Sequence, residues 1–358
     1  MANNSYEIQL SQSCDDPDWD SFVETAEDGE FEQTGGWAKV KQIAGWKPLR
    51  LSVLSSKQRI AGCQILMRKV PLIGSVGYIS KGPFFFFENE DIISLVVKTI
   101  SGLCRRRRIQ YLVIQLPDNG HVLEPYLVRM GASRDERLKA DRATTVIDLT
   151  LGLEDIFAKM SKNNRRFIRH GERKGVKVRE GSKEDIGLFF RMMLETCKRK
   201  GEVPNPPKEA FFHEIWRYFA PSGQVKLFLA EYGSEVVAGL FCMPFGKVFR
   251  AWKLGWFGDY GEVRPNQVMF WESIKWAKNS GYKYYDFVGI NRDAAEMILQ
   301  GKHFSDVAKG DSFFKLMFGG EVRLLPHIYT YIYNPIYKFS YENMYPRIIE
   351  CLLKRFRN

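Results

Sequence analysis

The first clear pattern of alternating apolar and polar positions lies in the N-terminal third of the chain. Leu49 to Leu54 reads LRLSVL, a turn follows at SSKQ, and strand-like runs resume over Arg59 to Val70 and Ser75 to Ser80. Period-two alternation bounded by turn residues predicts a three-stranded antiparallel meander. A helical pattern over Asp91 to Arg107 and a short apolar run over Tyr111 to Leu116 then predict a helix and one more strand.

The same order of elements returns in the C-terminal half. Lys226 to Glu231 reads KLFLAE, and further strand-like runs cover Val236 to Pro244 and Lys247 to Leu254. A helical stretch, Gln267 to Asn279, and an apolar run, Tyr284 to Val288, follow. The repetition predicts an internally duplicated protein.

An antiparallel meander that feeds a crossover helix and then a parallel strand is typical of a mixed α/β sheet. This order resembles the core of the GNAT acyltransferases. The sequence therefore predicts an α/β (α+β) protein with two tandem GNAT-like acyltransferase domains and mixed sheets. The alternative interpretation is a pair of unrelated hairpins in one large domain.

The junction between the two copies is expected near residue 145. Thr144 to Leu149 reads as a strand that opens the second copy, and Leu151 to Lys174 reads as one long basic helix. We expect domains over 1–145 and 146–328. A C-terminal tail over 329–358, with a helical run from Arg347 to Phe356, is expected to pack back on the first domain.

Composition limits the class of protein further. The chain has 358 residues, is 45% hydrophobic and carries a formal charge of +11, which predicts a folded protein with anionic partners. Its six cysteines lack metal-ligand or disulfide-framework spacing, which fits a reducing cytosol. No signal peptide or spanning segment is recognised, so we expect a cytoplasmic protein. Contact of the aromatic, basic C-terminal tail with the inner membrane leaflet is an alternative to core packing of that tail.

Known catalytic signatures are missing from the sequence. It has no HExxH motif, GxSxG elbow or Walker A loop, so we predict neither a metal nor a bound cofactor. The letters Gln33 to Ala38 (QTGGWA) match a pyrophosphate loop, but we expect them to lie before the first strand of their domain, and we interpret the match as chance.

One lysine stands out in the strand-like segment Ser312 to Glu321, SFFKLMFGGE. A lone lysine in an apolar strand is commonly a solvated edge position. The flanking aromatic residues favour a second interpretation, in which the Lys315 ammonium lies in a low-dielectric cleft and stabilises an oxyanion. The two glycines at its end permit an unusual turn.

Several separated strings, in matching order and spacing, resemble the Fem family of non-ribosomal peptidyltransferases. They are QTGGWAKVK (Gln33 to Lys41), GYISKGPF (Gly77 to Phe84), TTVIDL with KNNRRFIRHGERKGV (Lys162 to Val176), YYDFVGI (Tyr284 to Ile290) and FFKLMFGGE (Phe313 to Glu321). The similarity covers roughly residues 30 to 340. It implies an aminoacyltransferase that moves an amino acid from aminoacyl-tRNA to a peptidoglycan precursor, either UDP-linked or lipid-linked, to form an interpeptide bridge.

The resemblance also implies roles for particular residues. Lys315 would stabilise the tetrahedral intermediate, helped by the backbone at Phe314. Lys41 looks like the lysine that binds the precursor's diphosphate, with Tyr78 and Lys81 lining the same groove. In the second domain, Asp286 lies within the YYDFVGI string and is a candidate for substrate binding.

The sequence departs from the family pattern at two places. Where family members have an Arg and a Tyr four apart, this chain reads NPPKEAFF, which leaves Lys208 and Phe212 as imperfect substitutes. Trp252, in FRAWKLGW, takes the place of a tyrosine, so a phenol hydrogen bond would be lost or redirected.

An aminoacyl ester is already activated, so holding the amine near the carbonyl and stabilising the oxyanion suffice for catalysis. A carboxylate of the precursor itself, Asp118, Asp286 and Glu321 all stay open as the general base. The basic helix Lys162 to Lys174 and the run Arg105 to Arg108 are candidates for tRNA phosphate contacts, against the alternative of solvated surface charge.

Two other functions remain open from the sequence. One is a GNAT-type N-acyltransferase that uses an acyl-CoA or acyl-carrier donor on an amino sugar or exopolysaccharide precursor. The other is an inactive tRNA- or glycan-binding module, which the intact Lys315 string disfavours.

Overall fold

The computed structural model describes residues 6–71, 74–87, 89–138 and 143–339. The strands are β1 Glu7–Ser11, β2 Lys47–Ser55, β3 Gln58–Val70, β4 Gly74–Ser80, β5 Phe84–Phe85, β6 Ile109–Gln115, β7 Ser133–Arg134, β8 Ala143–Asp148, β9 Lys177–Glu180, β10 Lys226–Tyr232, β11 Glu235–Phe245, β12 Val248–Trp256, β13 Tyr284–Asp286, β14 Glu321–Leu324 and β15 Ile328–Ile332.

Helices occupy most of the longer connections between these strands. They are α1 Pro17–Thr25, α2 Gly35–Gln42, α3 Glu90–Arg106, α4 Glu124–Met130, α5 Leu153–Lys159, α6 Lys162–Arg173, α7 Ile186–Lys200, α8 Glu209–Phe219, α9 Pro265–Asn279, α10 Arg292–Leu299, α11 Phe304–Val307, α12 Gly310–Leu316 and α13 Pro335–Phe339.

The chain forms two compact units, each built on one sheet. The first unit takes in the chain before position 141 and from Leu325 onward, and the second lies between them. The first sheet has the order β1-β2-β3-β4-β6-β15-β7, with β5 beside β3. The second has the order β14-β8-β13-β12-β11-β10-β9. Each is mixed, because β4 and β6 are parallel, as are β12 and β13, among otherwise antiparallel neighbours. The predicted fold class is confirmed.

Both predicted meanders are present, as β2-β3-β4 and β10-β11-β12. Their alternating patterns set the pairing register, since a slip of one residue would turn every side chain to the other face. The helix and parallel strand that follow each meander are also present, as α3 with β6 and α9 with β13.

The first core lies between its sheet and α3. The side chain of Asn89 accepts hydrogen bonds from Asp91 N and Ile92 N, which caps the start of this helix. Acidic residues in its first turn and Arg105 and Arg106 in its last complement the helix dipole. Its apolar stripe, which includes Ile92, Val96 and Ile100, is buried against strands β2, β3 and β6.

Two predictions about segments outside the meanders are wrong, and a third concerns residues that the structure does not describe. The single helix predicted over Leu151 to Lys174 is wrong, because Ser161 caps a new helix after Met160 and the segment forms α5 and α6. The QTGGWA string does not precede the first strand of its unit, since β1 comes earlier. The predicted helical run at 347–356 lies outside the described residues, while β15 pairs with β6 in the first sheet.

Candidate active site at the end of the second sheet

Lys315 lies on a helix, so the strand predicted over Ser312 to Glu321 is wrong. Phe314 and Phe318, one turn apart, pack into the core of the second sheet, whereas Phe313 and Leu316 pack into a separate apolar cluster with Ala294 and Ala295. The apolar side chains of α12 therefore contact clusters on two sides of the helix. Apolar runs of this length do not distinguish a buried helix from a strand.

The Lys315 ammonium is held by three acceptors. Its Nζ donates to the carbonyl oxygens of Val288 and Gly289, each at 2.7 Å, and lies 2.9 Å from Asp311 Oδ2. The side chain is only 12% exposed. The Lys315 ammonium is therefore largely buried and lies near a glycine turn, whereas its role in catalysis stays a prediction.

An unusual turn after β13 directs the two carbonyls toward this ammonium. Val288 has φ of 50° and Gly289 has φ of 76°. The left-handed region is disfavoured for a β-branched residue, and such strain persists where the surroundings enforce it. Here Val288 N donates to Asp286 Oδ1 at 2.9 Å.

The Asp286 carboxylate is committed to the fold at this turn. It is 5% exposed, accepts from the Thr144 hydroxyl, and has Arg250 Nε 3.5 Å from its Oδ2. A buried carboxylate needs such partners. Its geometry favours a positioning role for Asp286 over the predicted contact with substrate, which stays untested.

The paired glycines after Phe318 allow a close approach to the α5–α6 junction. Gly319 has φ of 77°, and a Cβ built on it would lie 2.3 Å from the carbonyl oxygen of Lys159. A Cβ on Gly320 would lie 2.7 Å from Thr145 Oγ1. Ser161 N donates to Met317 O at 2.9 Å and fastens the same turn. The string FGG is therefore required by the packing around Lys315.

Asp311 is a site residue that the sequence reasoning missed. It lies four residues before Lys315 on α12, and its Oδ1 lies 3.8 Å from Lys200 Nζ. Burial raises the pKa of this carboxyl, but Lys315 and then Lys200 outweigh it, and the net shift is downward. The i,i+4 spacing of Asp and Lys would have signalled the pair had the segment been interpreted as a helix.

The residues predicted to bind the precursor's diphosphate lie in the first unit. Lys41, on α2, has its Nζ 5.1 Å from the ring centroid of Trp37. Tyr78 donates from its hydroxyl to Gln115 Oε1 at 2.8 Å. Lys81 forms an ion pair with Asp118. Burial lowers the pKa of Lys81, but Asp118 above all raises it, and the net shift is upward.

The QTGGW string has a structural role that involves its glutamine. Gln33 is fully buried, its Oε1 accepts from Gln64 N at 2.6 Å, and its amide donates to Ser80 O. The side chain thus joins the segment before α2 to β3 and to the end of β4. This environment differs from a pyrophosphate loop, in which backbone amides face solvent and an anion.

The two departures from the family pattern lie in different environments. Lys208 is exposed just before α8. Phe212 is fully buried against Phe189 and Phe241, with ring centroids 5.4 and 5.1 Å away, so its interpretation as a substitute for a ligand-gripping residue is wrong. Trp252 is partly buried, and its ring centroid lies 6.1 Å from that of Phe212.

The remaining predicted groups are charged surface positions or ion pairs. Of the other base candidates, Asp118 is paired with Lys81, and Glu321 lies 2.8 Å from Arg323. The run Arg105 to Arg108 is exposed. On α6, Arg165 and Arg169 line an open groove of about 600 Å³ with Phe157 and Trp271.

The described residues contain neither a metal-ligand cluster nor a membrane-spanning helix. No cluster of three or more His, Cys, Asp or Glu side chains in this part of the chain could hold a metal ion. Among the helices described, none is long and apolar enough to cross a membrane.

The fold defines a tandem GNAT-like protein. An acetyltransferase (GNAT) domain model matches residues 158–296, and the FemAB family model matches residues 15–119. A crystal structure of FemX superposes with a TM-score of 0.78 at 17% identity, covering 93% of this chain and 99% of that one. A tandem GNAT protein from the clavulanic acid biosynthesis pathway superposes with a TM-score of 0.54 at 9% identity, covering 92% and 99%.

The chain is also similar to curated transferases. The Lipid II:glycine glycyltransferases of Staphylococcus epidermidis and Staphylococcus aureus are each 22% identical over 223 residues, which is 59% of this chain. The match covers 53% and 52% of those proteins, so the chain spans about half the length of the curated relatives it matches. The family model and these relatives together make the chain similar to the Fem family.

Proposed function

We propose that the chain is an aminoacyltransferase that transfers an aminoacyl group from aminoacyl-tRNA to an amino group of a peptidoglycan precursor peptide. The observation that carries this proposal is the Lys315 ammonium, held 2.7 Å from two backbone carbonyls at the carboxyl end of β13. The match of residues 15–119 to the FemAB family model and the names of the staphylococcal relatives support the same class of reaction.

The proposed step is aminolysis of an ester. The acceptor amine, after losing one proton from its ammonium form, attacks the ester carbonyl carbon, and a C–N bond forms. The resulting oxyanion lies beside Lys315. Collapse of the tetrahedral intermediate breaks the C–O bond to the ribose, the ribose oxygen takes up a proton, and the amide nitrogen releases one. A cation placed where negative charge develops stabilises this intermediate more than the neutral ester.

The first unit is proposed to bind the precursor. A lipid-linked precursor carries a diphosphate, and the basic residues Lys41 and Lys81 with the Tyr78 hydroxyl have the chemistry to bind it. The name of the staphylococcal relatives, Lipid II:glycine glycyltransferase, favours the lipid-linked over the nucleotide-linked form. Basic side chains of α6 are proposed to contact the phosphates of the tRNA.

A mass-based transfer assay tests the donor and the acceptor together. The purified protein is incubated with mixed aminoacyl-tRNAs or with acyl-CoAs, each with a lipid-linked and a UDP-linked pentapeptide. We expect an aminoacyl mass increment on the lipid-linked acceptor that disappears when the tRNA is digested with ribonuclease beforehand. An acyl increment that requires acyl-CoA, with none from tRNA, would replace this proposal by the N-acyltransferase alternative.

A further inference from the structure

The resting arrangement of Lys315 engages every donor that the side chain has. An ammonium carries three N–H groups. Two are directed to the carbonyls of Val288 and Gly289, and the third faces Asp311 Oδ2 at 2.9 Å. An oxyanion can receive a hydrogen bond from Lys315 only if one of these acceptors withdraws.

The two carbonyls are the fixed acceptors. They belong to the backbone of the left-handed turn, which is anchored through Val288 N to the buried Asp286 carboxylate and its Arg250 partner. Asp311 is neither a backbone group nor anchored to a buried ion pair of this kind. Its carboxylate is on a side chain that can rotate, and it is 38% exposed while Lys315 is 12% exposed. Asp311 is therefore the acceptor that can move.

A second cation is available to the carboxylate when it moves. Lys200, in the last turn of α7, has its Nζ 3.8 Å from Asp311 Oδ1, and its side chain is 40% exposed. Asp311 thus lies between two ammonium groups. A partly buried carboxylate without a cationic partner is unfavourable in free energy, and pairing with Lys200 offsets this cost when Asp311 leaves Lys315.

We propose that Asp311 is a displaceable counterion of Lys315. As the oxyanion forms, the Asp311 carboxylate moves away from Lys315 and pairs with Lys200 instead. The third N–H of Lys315 then donates its hydrogen bond to the oxyanion instead of to the carboxylate. This inference rests on the proposed aminoacyl transfer.

The exchange favours the transition state over the bound substrate. A neutral ester oxygen is a weaker acceptor than a carboxylate and does not displace Asp311, whereas an oxyanion makes a charge-assisted hydrogen bond of comparable strength. The third N–H of Lys315 therefore leaves Asp311 only when negative charge develops on the substrate. An interaction that forms only in the transition state raises kcat without tightening substrate binding.

A double-mutant cycle on Asp311 and Lys200 tests the exchange. Asp311→Asn keeps an oxygen acceptor of the same size but removes the charge that competes with the oxyanion. We expect its kcat to exceed the wild-type value by up to about tenfold, with KM unchanged. Lys200→Met leaves Asp311 on Lys315, and we expect kcat to fall by about five- to tenfold. In the Asp311→Asn background, the effect of Lys200→Met should shrink to less than about twofold.

Matched controls separate the exchange from general effects of charge. Lys198→Met removes a 79% exposed cation from the same end of α7, and Asp306→Asn neutralises an exposed aspartate on α11. Both should leave kcat unchanged. If Asp311→Asn is too unstable to assay, the contrast between Lys200→Met and Lys198→Met still decides, since equal rates for the two would overturn the proposal.

Other results also contradict it. A fall of about 10² in kcat for Asp311→Asn would make Asp311 a residue that positions Lys315. An equal effect of Lys200→Met in both backgrounds would show that Lys200 acts independently of Asp311. Absence of tRNA-dependent transfer by the wild-type protein would instead refute the proposed function itself.

Discussion

Gly319→Ala tests how strongly the packing around Lys315 depends on the glycine turn. The substitution adds one methyl group at a residue with φ of 77°, and that Cβ would lie 2.3 Å from Lys159 O and 2.6 Å from its carbonyl carbon. Adopting a left-handed conformation costs a non-glycine residue about 1–2 kcal/mol. Forcing a methyl group into packed backbone adds about 1–3 kcal/mol. We expect a loss of about 2–5 kcal/mol in the free energy of unfolding.

Gly281→Ala provides a matched control in the same unit. Gly281 has φ of 87°, and a Cβ there would have nothing within 4 Å, so only the conformational cost applies. Urea unfolding followed by tryptophan fluorescence measures both variants. The difference between them isolates the steric contribution of Lys159. Equal unfolding free energies for the two variants would refute the close approach of Gly319 to the α5–α6 junction.

Four further outcomes are expected. Lys315→Ala should lower kcat for aminoacyl transfer by about 10² to 10³ with little change in acceptor KM, and a near wild-type rate would exclude the oxyanion role. Phe212→Ala should destabilise the protein by about 3–5 kcal/mol in thermal or urea unfolding, because this fully buried ring leaves a cavity among Phe189 and Phe241. Hydrogen bonds from Arg179 lower the pKa of Asp185 to about 2, so their contribution to stability is complete above about pH 4 and is lost as the pH falls through 2. Asp185→Asn should therefore cost about 0.2–1 kcal/mol at pH 7 and clearly less at pH 2, and a cost that is equal at both would contradict the pairing. If α6 contacts phosphates, tRNA affinity should fall steeply with salt concentration, whereas a flat response would remove that role.

The two sheets could be predicted from the sequence because the patterns that specify their strands are local. Period-two alternation, turn residues and helix caps specify strands and helices within a few positions of themselves. The meanders β2-β3-β4 and β10-β11-β12 and the parallel strands β6 and β13 accordingly appear where the patterns predict them. Lys315 and its two glycines could be singled out in the same way, from an unusual lysine in an apolar run.

The environment of Lys315 depended on the tertiary structure. The acceptors Val288 and Gly289 lie 27 and 26 positions away along the chain, and their carbonyls point to the ammonium only because the turn after β13 is left-handed. The helical state of α12 follows from two apolar clusters that come together in the fold, and that state alone brings Asp311 beside Lys315. The burial of Phe212 likewise results from contacts with distant strands. Local patterns determined which elements form, whereas contacts between distant segments decided which polar groups meet, because the cost of burying a charge depends on every neighbour that surrounds it.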